Sequence, residues 1–126
     1  MAAAAPRNPT LIWALLALDG RINREVFWLG NIGCGLVAVA MMMPSIDPAT
    51  GQINLAPMSP LVFAAMLWTE IALAVKRLHD KGVSGWFAIA FAIPIIGIAA
   101  FLVIGLMPGD KGANAYGTAS NMRGRG

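Results

Sequence analysis

Apolar residues along this chain come in blocks instead of alternating with polar ones. Nearly uninterrupted apolar stretches fill residues 26–43, 61–75 and 86–107, which are 18, 15 and 22 residues long. A helix rises about 1.5 Å per residue and a bilayer's hydrocarbon core is roughly 30 Å thick, so these blocks predict transmembrane helices. Asn23 is a candidate N-cap for the first, with Glu25 in its first turn where the helix dipole favours a carboxylate, and Pro44 ends the block. A turn-rich connector leads to Ser59 and Pro60, read as the cap and first position of the second span. Snorkelling Lys76 and Arg77 extend that span to residues 60–78. Gly82 then breaks the chain and Ser84 caps the third span, residues 86–107, which Pro94 and Gly97 are expected to kink. Before the blocks, residues 10–18 are apolar all round but reach only about 14 Å as a helix. They run into Asp19, Gly20 and Arg21 instead of a small-residue cleavage site. They therefore predict an uncleaved interfacial helix, lying in the interface or against the bundle.

The expected fold class is an all-α membrane protein: three transmembrane helices, the third kinked at Pro94 and Gly97, plus a short N-terminal interfacial helix. Residues 20–117 form a single membrane domain between a mobile tail with the interfacial segment at 1–19 and a flexible tail at 118–126.

Composition narrows the function classes. The chain has 126 residues, 58% hydrophobic and 12% charged, against roughly half and a quarter in soluble domains. An ordinary soluble enzyme does not fit. A lone cysteine, Cys34, builds neither an intrachain disulfide nor a Cys-based metal site. The net charge of +3 is scattered and makes no nucleic-acid footprint. It does orient the chain. Arg7, Arg21 and Arg24 precede the first span and Lys76, Arg77 and Lys81 follow the second, while the connector between them has no basic residue. The positive-inside rule places the N-terminus and residues 76–85 in the cytoplasm. Three crossings then put the C-terminal tail in the periplasm, against which Lys111, Arg123 and Arg125 count. The alternative is that residues 94–97 turn the third segment back and return the tail to the cytoplasm.

Two groups of residues are candidates for function. Glu70 lies six residues before Lys76 and Asn31 five after Val26, which puts both about 7 to 9 Å inside one leaflet. They form a candidate intramembrane polar pair, read first as a structural hydrogen bond fixing helix register and second as a site for proton or ion handling. The second group, Arg21, Arg24, Trp28, Lys76, Arg77, His79, Asp80 and Trp86, is expected at the cytoplasmic face, in contact with anionic lipid headgroups or a partner protein. His79 beside Asp80 invites an acid–base reading, but no nucleophile motif, second histidine or acidic cluster accompanies them. Catalytic, cofactor and metal sites are accordingly expected to be absent.

Four segments carry a resemblance: GRINREVFWLG at 20–30, AVKRLHDKGVSGWF at 74–87, IPIIG at 93–97 and PGDKGANAYG at 108–117. Together they resemble the bacterial inner-membrane family typified by YhaH and YhaI, catalogued as domain of unknown function 805. The resemblance implies a small multi-pass inner-membrane protein with no established activity, and carries no catalytic role to any residue. The chain departs from the family pattern at Glu25 and in its proline-rich connector. The expected function is therefore a non-enzymatic integral membrane protein whose basic cytoplasmic face meets anionic lipid or a partner protein. The alternative is an oligomeric transporter or channel component using Glu70 and Asn31.

Overall fold

The computed structural model describes residues 9–123. Its elements are α1 (Leu11–Leu16), α2 (Arg24–Met42), the two-residue strands β1 (Ser45–Ile46) and β2 (Ile53–Asn54), α3 (Ser59–Asp80), a 3-10 helix (Gly85–Ala92) and α4 (Pro94–Leu106). Residues 1–8 of the expected mobile tail, with Arg7, and Arg125 near the C-terminus lie outside the described residues.

Local chemistry sets most boundaries where the sequence suggests. The Asn23 side chain accepts from the Val26 N–H at 2.9 Å, capping α2. Gly82 ends α3 at φ +71°, with its N–H on the His79 carbonyl and the Val83 N–H on that of Leu78. This is a Schellman motif, which requires the left-handed residue that glycine supplies. Ser59, expected as the cap of α3, is instead its first residue, preceded by Met58. The connector also departs from the all-α expectation by forming a small antiparallel ribbon, Ser45 opposite Asn54 and Ile46 opposite Ile53.

Among the described residues, α2 is the one helix long and apolar enough to cross a membrane, and α4 is a shorter apolar helix. α3 has the length, at 22 residues, but carries Glu70 in its middle and Lys76, Arg77, His79 and Asp80 in its last turns.

The third apolar block corrects the expectation of one kinked span. Ile93 is extended, at φ −95° and ψ 113°, and separates the 3-10 helix from α4, which Pro94 opens. Proline lacks an N–H and biases its predecessor away from helix, so it starts a helix here instead of bending one. A Cβ on Gly97 would meet the Phe91 carbonyl oxygen at 2.7 Å, so only glycine lets α4 lie this close to the 3-10 helix. The block begins with Gly85 against Val75 and His79 of α3. It ends with Lys81 Nζ donating to the Pro108 carbonyl at 3.1 Å and Arg77 Nη2 donating to that of Met107. Both ends therefore meet the same end of α3, and the block is a helical hairpin that turns back, as the alternative reading of residues 94–97 anticipates.

One end of the α2/α3 pair thus gathers residues 20–24, the end of α3, the base of the hairpin and the C-terminal segment. The core lies there too, built from Trp13, Ile22, Phe27, Leu73, Ala74, Leu78 and Ile104. Along the shaft the polarity is inverted: Leu36, Val39 and Leu61 are 68%, 70% and 66% exposed.

Candidate functional site

The gathered end is organised around a buried carboxylate. Asp80, in the last turn of α3, accepts from Arg21 Nε at 3.1 Å on one oxygen and from Arg77 Nη1 at 2.5 Å on the other. Ser120 Oγ donates to it as well. All three charged residues are essentially inaccessible. Each guanidinium spends its remaining donors on backbone carbonyls. Arg21 donates to Asp110 at 2.8 Å, Gly112 at 2.7 Å and Gly117 at 3.2 Å, tying the C-terminal segment to the start of the domain. Arg77 donates to Ile104 at 2.7 Å, to Met107 and to Ile22 at 3.4 Å, so it closes the C-terminal carbonyls of α4. Arginine's planar fork suits this role, since it satisfies several acceptors in different directions from one rigid group.

Lys76 faces another neighbour. Its ammonium donates to the Trp13 and Ala17 carbonyls and sits 5.5 Å from the Trp13 ring centroid, fastening α1 to α3. His79 joins three segments: Nδ1 lies 3.1 Å from the Gly20 carbonyl, and the imidazole stacks on Tyr116 with centroids 4.0 Å apart. Asn114 holds that arrangement by donating to the His79 carbonyl at 2.9 Å while its own oxygen accepts from the Tyr116 N–H. Burial pushes the His79 imidazole below its usual pKa, against the opposing pull of the Gly20 carbonyl.

The expected headgroup-contacting set divides accordingly. Arg21, Lys76, Arg77 and Asp80 do not face outward; they are buried and hydrogen-bonded within the chain, a correction to their expected contact with lipid headgroups or a partner protein. Trp28 also turns inward, donating to the Gly105 carbonyl at 3.0 Å and stacking edge-on against Phe27 and Phe101. A Cβ on Gly105 would strike that indole at 2.7 Å. His79 is half-buried, while Arg24 and Trp86 are exposed, Trp86 at 80%. The expected polar pair does not form. Asn31 Nδ2 donates to the Phe27 carbonyl at 2.7 Å on its own helix, its oxygen is buried without a partner, and no hydrogen bond joins it to Glu70. Residues 118–123, expected as flexible tail, are pinned: Arg21 and Met122 form a β-bridge and the Asn23 N–H donates to Asn121.

Chemically the cluster is saturated, each guanidinium and the carboxylate being engaged inside the chain. Among the described residues no group of three or more His, Cys, Asp or Glu side chains is gathered. Beside it lies a polar recess of about 240 Å³ bordered by Arg24, Glu25 and Asp110. The partnership of Arg21 with Asp80, 59 residues away, and the use of the C-terminal carbonyls as acceptors were not foreseen.

The family model described as "Protein of unknown function (DUF805)" matches residues 15–118. "Inner membrane protein YhaI" of Escherichia coli (strain K12) is 31% identical over 102 residues, covering 81% of this chain and 84% of that protein. "Inner membrane protein YhaH" of the same organism is 39% identical over 102 residues, covering 78% and 82%. "Uncharacterized protein YiiR", also from that strain, is 28% identical over 130 residues, covering 82% and 85%. No solved structure matches.

Proposed function

This chain belongs to the DUF805 family, and from that premise we propose that it is a non-enzymatic integral protein of the bacterial inner membrane. In this reading α2 and α3 cross the bilayer, and the 3-10 helix with α4 enters and leaves on one side. The N-terminus, residues 81–85 and the C-terminal segment all face the cytoplasm. The observation that carries it is the inverted polarity: charged Arg21, Lys76, Arg77 and Asp80 are buried at one end while apolar side chains are exposed along the shaft. A cytoplasmic tail also removes the conflict of Lys111 and Arg123 with the positive-inside rule. Contact with anionic headgroups then falls to the outward residues Arg24, Lys111 and Trp86, with a partner membrane protein as the other candidate for that face.

Reporter fusions test this topology. A fusion at residue 52 reports the periplasm, and fusions at residues 82 and 118 report the cytoplasm. A periplasmic reading at 118 would return the third segment to a full crossing.

The transporter or channel reading has one observation in its favour. Among the described residues the buried Asn31 oxygen has no hydrogen-bond partner, which leaves it capacity for an ion or a second copy at the depth of Glu70. Loss of a cellular phenotype in Glu70→Gln with unchanged stability in detergent would support it.

A further inference from the structure

Opposite the helical hairpin, the other side of the α2/α3 pair is not filled. An open apolar groove of about 800 Å³ runs along the seam, from Val26 and Leu73 near the polar end to Met41 and Met58 near the β ribbon. At the helical rise this is about 22 Å. Its α2 wall includes Gly33, where an added Cβ would meet nothing within 4 Å. α1 contributes Leu11, Ala14 and Leu15 at the polar end.

Two features select the occupant. First, α1 is packed against the polar half of α3 and lines the groove there, with Trp68 donating to the Leu16 carbonyl at 2.9 Å and Lys76 to that of Ala17. A helix passing through the bilayer would run into it, whereas a hydrocarbon chain starting at the headgroup would not. Second, Arg123 lies next to α1 at the polar end. It donates to Thr10 Oγ1 at 3.1 Å, and Thr10 precedes groove-lining Leu11. An arginine cation close to the polar end of an apolar slot matches a phosphate ester on a hydrocarbon chain.

We infer that the groove is a binding site for one anionic glycerophospholipid, its acyl chain along α2 and α3 and its phosphate at Arg123. The inference deepens the proposed lipid contact and rests on the membrane reading. Lipid retention does not depend on which side of the membrane the polar end faces, so a contrary topology result leaves this test standing.

The test uses the full chain in nanodiscs of equal parts phosphatidylglycerol and phosphatidylcholine, then detergent extraction and native mass spectrometry. The parent retains one phospholipid, with phosphatidylglycerol preferred. Gly33→Leu, which grows into open groove, lowers retention of both lipids roughly tenfold, the effect of displacing about two methylenes. Gly35→Leu is the folding and annular-lipid control, because an added Cβ there also meets nothing within 4 Å and the residue lies outside the groove lining. It retains lipid as the parent does. Arg123→Gln keeps a lipid but loses the preference for phosphatidylglycerol. Equal retention in Gly33→Leu and Gly35→Leu overturns the site, as does a parent that carries no lipid. A parent dimer that Gly33→Leu dissociates overturns it in favour of a second copy.

Discussion

The polar end and the apolar shaft of this molecule are built on opposite principles. At the polar end, ionised groups are buried and hydrogen-bonded to residues far away in the chain: Arg21 reaches Asp80, Gly112 and Gly117. Along the shaft, apolar side chains such as Leu36 and Val39 point outward and the inter-helix seam is left partly open. In water the second arrangement would be costly, and in a bilayer it is the ordinary lipid-facing surface. The contrast teaches where specificity is stored. Lipid tails are as apolar as leucine, so shaft packing is only weakly driven, and the fold's long-range connections depend on the charged end.

The largest expected effect breaks that end. Asp80→Ala leaves two buried guanidinium groups without their shared carboxylate and should cost about 3 to 5 kcal/mol. Chemical denaturation in detergent would measure it, and a variant as stable as the parent would show that the cluster is not what joins the segments. Overpacking the join between end and shaft comes next. Gly105→Val drives a side chain into Trp28 and should cost about 1 to 3 kcal/mol, with altered tryptophan fluorescence. Glu70→Leu on the shaft should change stability by less than about 0.5 kcal/mol, because no hydrogen bond is lost. A larger loss would restore the expected polar pair with Asn31.

The smallest effect is the pH response of His79. Its folded-state pKa is lowered, so folding favours the neutral ring. The stabilisation is intact above the ordinary value of about 6.5 and declines as pH falls below it towards the lowered folded value. Parent and His79→Gln unfolding compared across this window should differ in slope, only the parent weakening with acid.

How much of this was legible depends on the range of the interaction. Local signals read correctly: the Asn23 cap and the Gly82 stop each act within a few residues. Pro94 and Gly97 were visible as a break, but kink and reversal share the same local sequence. The choice between them rests on Arg77 and Lys81 binding carbonyls 27 and more residues away. The basic residues misled for a related reason. An arginine at a span's end has the same sequence signature whether it meets a lipid phosphate or a buried aspartate, and only the folded position of Asp80 separates Arg21 and Arg77 from outward-facing Arg24.

The central claim, that both ends of the third segment return to one end of α3, is tested most directly by cross-linking across that end. In a Cys34→Ser chain carrying Lys81→Cys and Pro108→Cys, a short bis-maleimide added to membranes should join the pair efficiently. The control pair Ile53→Cys and Pro108→Cys, at opposite ends, should stay unjoined. Failure of the first pair while each single cysteine labels fully would contradict the return and restore a segment that crosses the bilayer.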